Sequence, residues 1–201
     1  MSRMPASERR EQLLDCAAEL FSSQGYARAT TSQLAKAAGV TEPIIYRHFK
    51  SKRELFVALV ERTGQQTLEQ WSKDLEGASD PAERLARVLG DNPMVTGGGR
   101  EAYRVFLQAI SEVDDEAIAQ AVNAHIQAVH AFLTSEITRA QGEHKVTERF
   151  SAEVVAWLLL HIGMGYGVLS AMGIEGHGTD PNGTHVKDVL ARVLVRRREA
   201  K

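Results

Sequence analysis

The 201-residue chain reads as an all-helical protein, on three observations. Apolar residues recur at three- and four-residue intervals, the spacing that lines one face of a helix, and no stretch keeps the period of two that marks a half-buried strand. Two capping boxes, Thr30 with Gln33 and Ser51 with Glu54, set two helix starts within the first third of the chain. Glycine and proline clusters punctuate the periodic stretches.

The elements follow in order. Ser7 is expected to cap a first helix whose opening turn holds Glu8 and Glu11, favourable against the helix dipole. Leu13, Leu14, Ala17, Leu20 and Phe21 form its buried stripe. Gly25 stops it, with Tyr26 placed for the apolar contact that accompanies such stops. The Thr30 box opens a second, short helix that ends before Gly39, and Thr41 begins a third. Pro43 falls in its first turn, where a missing N–H costs little. The Ser51 box opens a fourth helix with Leu55, Phe56, Leu59, Val60, Leu68, Trp71 and Leu75 as buried positions. Asp80-Pro81 opens another, and Asp91 to Gly99 is the clearest loop. Further helices are expected at about 100–111, 115–140 and 148–172, with Glu112, Asp114, Asp115 and Glu116 as a helix-start cluster. After a second loop over 173–183, Val186, Val189, Leu190, Val193 and Leu194 make the stripe of a last helix.

Hydrophobic and charged fractions of 43% and 25% are those of an ordinary globular protein. The formal net charge of −2 hides an asymmetry: residues 1–60 hold nine Lys and Arg against six Asp and Glu, or +3, which leaves −5 for the rest. A basic first third joined to an acidic body is expected when one part meets phosphate. The single cysteine, Cys16, excludes an internal disulfide and sits on a helical face, where a buried structural thiol is expected. The first residues carry no apolar signal core, so a cytoplasmic location is expected. From Val154 to Ile174 there is no Asp, Glu, Lys or Arg, a length that would cross a bilayer. His161, Gly163, Gly165, Gly167, Ser170 and Gly173 interrupt it and neither flank is strongly basic, so the expectation is a helix buried on most sides by protein and no membrane.

Two short helices joined through Ala38-Gly39-Val40-Thr41 have the spacing of a helix-turn-helix. On the third helix Ile45 and Phe49 should face the core with Val40, leaving Glu42, Pro43, Ile44 and Arg47 on or near the face that would meet base edges. Arg47 is suited to guanine and Ile44 to a thymine methyl. Tyr46, His48, Lys50 and Lys52 suit phosphate, which positions a helix without reading sequence. Thr30, Thr31 and Ser32 open the second helix, whose free N–H groups attract anions.

The runs Gly25-Tyr26, Ala29 to Val40 and Ile45 to Leu55, with Tyr46-x-x-Phe49-Lys50-Ser51-Lys52 the most specific, closely resemble the TetR family of bacterial transcriptional regulators over residues of about 8–60. The resemblance implies an N-terminal three-helix DNA-binding domain, taken as residues 1–52, and a C-terminal helical domain for ligand binding and dimerisation, residues 53–201. It implies a homodimer on a palindromic double-stranded operator, usually repressing and released by a small molecule. It suggests Thr31, Tyr46, His48 and Lys52 as phosphate contacts and Ser32, Glu42, Pro43, Ile44 and Arg47 as the base-reading set. Ser32 is shorter than the long polar residue often found there.

The last two helices, apolar enough to serve their own chain and a partner, suit a two-fold four-helix contact. Such a dimer would place two reading helices roughly 34–36 Å apart, one turn of DNA. Tyr103, Phe106, His125, Trp157 and His161 suit an apolar cavity with a few orienting groups. His125 and His130 are poorly spaced for one helix face and no Cys or paired carboxylate completes a metal set. No phosphate loop, nucleophile elbow or metalloprotease helix is present, and Gly97-Gly98-Gly99 lacks the following Lys-Ser/Thr, so neither an enzyme nor a cofactor is expected. The competing expectation is a helical small-molecule-binding protein or enzyme that has kept a vestigial helix-turn-helix.

Overall fold

Nine helices carry the described residues of the computed structural model, which are 4–90 and 99–194, with the side chains at 89–90, 99–103, 187 and 191 left aside. They are α1 Ala6–Gln24, α2 Thr31–Ala37, α3 Glu42–His48, α4 Lys52–Asp74, α5 Pro81–Gly90, α6 Gly99–Ile110, α7 Glu116–Gly142, α8 Ala152–Ala171 and α9 Val186–Leu194. Among the described residues none forms a strand, and an isolated bridge joins Thr179 to His185. The all-α expectation holds. Most of the loop expected from Asp91 to Gly99 lies outside the described residues.

Local signals account for most boundaries. Thr30 Oγ1 accepts from the Gln33 N–H at 3.2 Å while Gln33 Oε1 accepts from the Thr30 N–H at 2.9 Å, a complete capping box. At α4 the box is shifted: Ser51 Oγ accepts from Glu54 N–H at 3.1 Å, but Glu54 reaches back to the Lys50 N–H at 2.8 Å. Asp80 accepts from the Ala82 N–H before α5, and Asp115 from those of Ala117 and Ile118 before α7. Two starts differ from expectation. α1 begins at Ala6 behind Pro5, whose fixed φ suits a helix entry, so Ser7 is inside the helix and not its cap. α8 begins at Ala152, not near 148, because Gln141 Nε2 donates to the Thr147 and Phe150 carbonyls and holds that segment in a turn until Ser151 caps the helix.

The chain divides into two compact units, Met1–Gln65 with Glu101–His125 and Gln66–Arg100 with Ile126–Lys201; α4, α6 and α7 contribute to both. The core of the first unit gathers Leu13, Leu14, Phe21, Leu34, Ile45, Phe49, Leu55, Phe56, Leu59, Val105 and Ile118. Tyr26 stacks on Phe56 with ring centroids 4.2 Å apart, and Phe21 meets both rings edge-on. Arg62 joins α4 to Glu11 and Asp15 of α1 at 3.2 and 2.7 Å. Cys16 is half-buried; burial first, then Glu19 and Asp15, raise its pKa and keep the thiol protonated.

The second unit packs Trp71, Leu75, Leu85, Val129, Leu133, Ile137, Val155, Ala156, Leu159 and Leu194 into one core. A partly buried ion pair belongs to this unit: Arg84 donates to both oxygens of buried Glu136 at 2.7 Å, and its Nη1 also donates to the Leu75 and Ala78 carbonyls just past α4. α8 departs from expectation. It is long and apolar enough to cross a membrane by length and composition, and among the described residues its buried positions are Ala152, Val155, Ala156, Leu159, Leu160 and Gly167, on one side of the helix. Val154, Leu158, His161, Gly165, Leu169 and Met172, spaced by three or four residues, form an exposed stripe. α9 likewise exposes Val186, Val189 and Val193 while Leu194 is buried.

Candidate nucleic-acid interface

The turn between α2 and α3 is set by backbone chemistry. Val40 N–H bonds the Ala35 carbonyl at 2.9 Å, and Gly39 sits at φ 64°, where a side chain would be strained although space is open. Leu34, Ala35, Ala38, Ile45 and Phe49 are buried beneath this turn and Val40 packs partly against them. Ile45 and Phe49 therefore hold α3 as expected.

Holding that face inward turns the other outward. Pro43, Tyr46, Arg47 and Lys50 are exposed, and Glu42, Ile44 and His48 are half-buried. Thr30 and Ser32 are exposed at the start of α2 beside half-buried Thr31. The Thr31 and Tyr46 hydroxyls lie 3.3 Å apart in a hydrogen bond, which brings the α2 N-terminus and α3 onto one surface. Arg47 and Lys50 are exposed on and just after the same short helix, and hydroxyls, helix N-termini and cations are groups that attract phosphate.

Lys52 is placed differently. Its ammonium turns inward and donates to the carbonyls of Tyr26 at 2.9 Å, Ala27 at 3.3 Å and Ala29 at 3.0 Å, 4.5 Å from the centre of the Tyr26 ring. A second distant side chain grips the same turn: Gln108 Oε1 accepts from the Tyr26 N–H at 2.9 Å while its Nε2 donates to the Phe21 carbonyl at 2.8 Å. Sequence reasoning missed Gln108. A glutamine more than eighty positions from its partners leaves no local signal.

Of the expected ligand residues, Phe106 and His125 meet in the first unit, ring centroids 4.2 Å apart and both buried. His125 Nδ1 has no hydrogen-bond partner, and burial pushes its imidazole down to about 4. It lies against Gly64, where an added Cβ would come within 2.5 Å of Nδ1. Trp157 and His161 are neighbours on α8 in the second unit, with Trp157 half-buried under His130 and His161 exposed. Tyr103 lies in α6 and its side chain is outside the described ones. Among the described residues no three His, Cys, Asp or Glu side chains converge as a metal set.

The geometry defines a helix-turn-helix, α2 and α3, within an all-helical fold. Residues 13–59 match the family described as bacterial regulatory proteins, tetR family, and the chain shares its fold with a solved TetR-family regulator from Agrobacterium tumefaciens at a TM-score of 0.74 and 20% identity, over 95% of this chain and 100% of that one. It is 38% identical over 88 residues to the HTH-type transcriptional activator FasR of Mycolicibacterium smegmatis, covering 44% of this chain and 40% of that protein. It is 41% identical over 80 residues to the nucleoid occlusion factor SlmA of Marinobacter nauticus, 40% of this chain and 41% of that one. These matches span less than half of either relative. A transcriptional regulator from Saccharomonospora viridis, solved in complex with choline, shares the fold at a TM-score of 0.83 and 22% identity over 95% of this chain and 100% of its own.

Proposed function

We propose that the chain is a dimeric DNA-binding transcriptional regulator of the cytoplasm, a repressor on a palindromic operator that a small molecule releases. The observation that carries it is the surface on which Thr31, Tyr46 and the exposed side of α3 stand together. On this reading Thr30, Thr31, Tyr46, His48 and Lys50 hold phosphates, and Ser32, Glu42, Pro43, Ile44 and Arg47 meet base edges. Residues 1–52 are the reading domain and 53–201 the effector and dimerisation domain. A second copy covers the uncharged outward stripes of α8 and α9, which supplies the protein surface that one chain leaves missing and makes a membrane unnecessary. Phe106, His125, Trp157, His161 and Tyr103 are the proposed effector-side residues. The reading contains no catalytic step.

The experiment is selection of duplexes from a randomised pool, followed by gel shifts at several salt concentrations. A palindrome with two half-sites about one helical turn apart is expected. Arg47→Ala should change which base is preferred within each half-site, whereas absence of binding to any duplex at low salt leaves the helical carrier or enzyme with a vestigial reading head. The likeness to FasR over the reading head favours activation as the second reading of the same DNA contact. A reporter placed under the selected site separates the two by the sign of its response.

A further inference from the structure

From the geometry of the α1–α2 turn we infer that Lys52 is a positioning residue for the reading head, not one of its phosphate ligands. An ammonium has three protons, and three backbone carbonyls receive them, at 2.9, 3.3 and 3.0 Å from Tyr26, Ala27 and Ala29. The Tyr26 ring, 4.5 Å away, adds its face to the cation's surroundings. Contact with a phosphate would require Lys52 to give up a bond it already makes to the turn.

The bonds fall where the reading head needs stiffness. Residues 25–29 connect the Gly25 stop, at φ 84°, to the Thr30 cap, and Ala29 is buried to 1% exposure. The Ala29 N–H closes on the Gly25 carbonyl at 3.2 Å and the Tyr26 N–H is held by Gln108, so the amides are secured from one side and the carbonyls by Lys52 from the other. Thr30 and Thr31 follow directly, and Thr31 bonds Tyr46. Lys52 thus sets the register of the α2 N-terminus against α3 and acts on DNA through those residues. Lys50, two positions earlier, is exposed and stands as a cation that can meet phosphate.

The inference rests on DNA binding as proposed above, and two measurements keep the ideas separable. In the wild-type protein without DNA, amine-reactive footprinting should label Lys50 freely and Lys52 slowly; equal labelling of the two overturns the assignment whatever the protein binds. On the duplex that the wild-type protein selects, Lys52→Met should weaken binding roughly tenfold, the scale of lost charge-assisted hydrogen bonds. The slope of log K against log salt should stay at the wild-type value, whereas loss of a phosphate contact would reduce it by about 0.9. Lys52→Arg, which restores donors to the same carbonyls, should recover most of the affinity, and Lys50→Met should lower the slope. A lowered slope in Lys52→Met, or protection of Lys52 from labelling only when DNA is added, refutes the positioning role. If the wild-type protein selects no duplex, the regulator reading fails while the footprint still decides the place of Lys52.

Discussion

His125 should make the stability of this protein depend on pH across the mildly acidic range. The side chain is 9% exposed, its Nδ1 has no partner, and Phe106 and the bare backbone of Gly64 close around it. Burial lowers its pKa from 6.5 to about 4, so the folded protein holds the imidazole neutral where the unfolded chain would protonate it. Between those values the unfolded state binds more protons, and stability must fall as pH falls. From pH 7 to pH 5 the shift amounts to roughly 2 kcal/mol, and carried to its end it approaches about 3 kcal/mol. The assay is urea denaturation of wild type and His125→Leu at both pH values and one fixed protein concentration, since a dimer's stability depends on it. The variant's absolute stability is not the readout; its pH dependence is, because the two proteins differ in this one titratable group. The wild type should lose about 2 kcal/mol more than the variant between the two pH values. An identical loss in both would show that the His125 imidazole titrates as it does in water and would refute the account of its burial.

Three further outcomes are expected. Gly64→Ala should destabilise by about 1 kcal/mol, because overpacking against Nδ1 at 2.5 Å and Cγ at 3.1 Å outweighs the gain of about 1 kcal/mol that alanine brings to a helix interior. In a His125→Ala background the same change should become stabilising, and denaturation curves of the four proteins would expose a failure of that sign reversal. Glu136→Ala should cost about 2–3 kcal/mol by thermal or urea unfolding, less than for a fully buried pair, since it leaves the largely covered Arg84 guanidinium without its carboxylate; a loss under about 1 kcal/mol would mean the pair is solvated. Val193→Asp, on the exposed stripe of α9, should shift the protein to monomer in sedimentation at micromolar concentration and weaken binding to a two-half-site duplex far more than to a single half-site. An unchanged sedimentation profile would remove α9 from the interface.

What the sequence alone determined was local. Helix starts at Thr30, Thr41, Ser51 and Pro81, the stops at Gly25 and Gly39, and the inward pair Ile45 and Phe49 all follow from capping, φ preference and helical period, which act within a few residues. The same short range makes the face around Tyr46 and Arg47 legible, because one buried stripe on a seven-residue helix leaves little freedom for the rest. What only the tertiary structure decided was every contact between distant positions. Lys52 reads from the sequence as a cation beside α3 suited to phosphate, and only the fold shows that three carbonyls of residues 26–29 stand within hydrogen-bonding distance of its ammonium. Gln108, the Arg84–Glu136 pair and the His125–Gly64 contact carry no periodicity or motif, since each depends on which helix faces reach the same place. α8 shows the division plainly: its composition announced burial, and among the described residues its buried positions lie on one side. Burial depends on what stands opposite an apolar face, and a single sequence specifies the face without its partner.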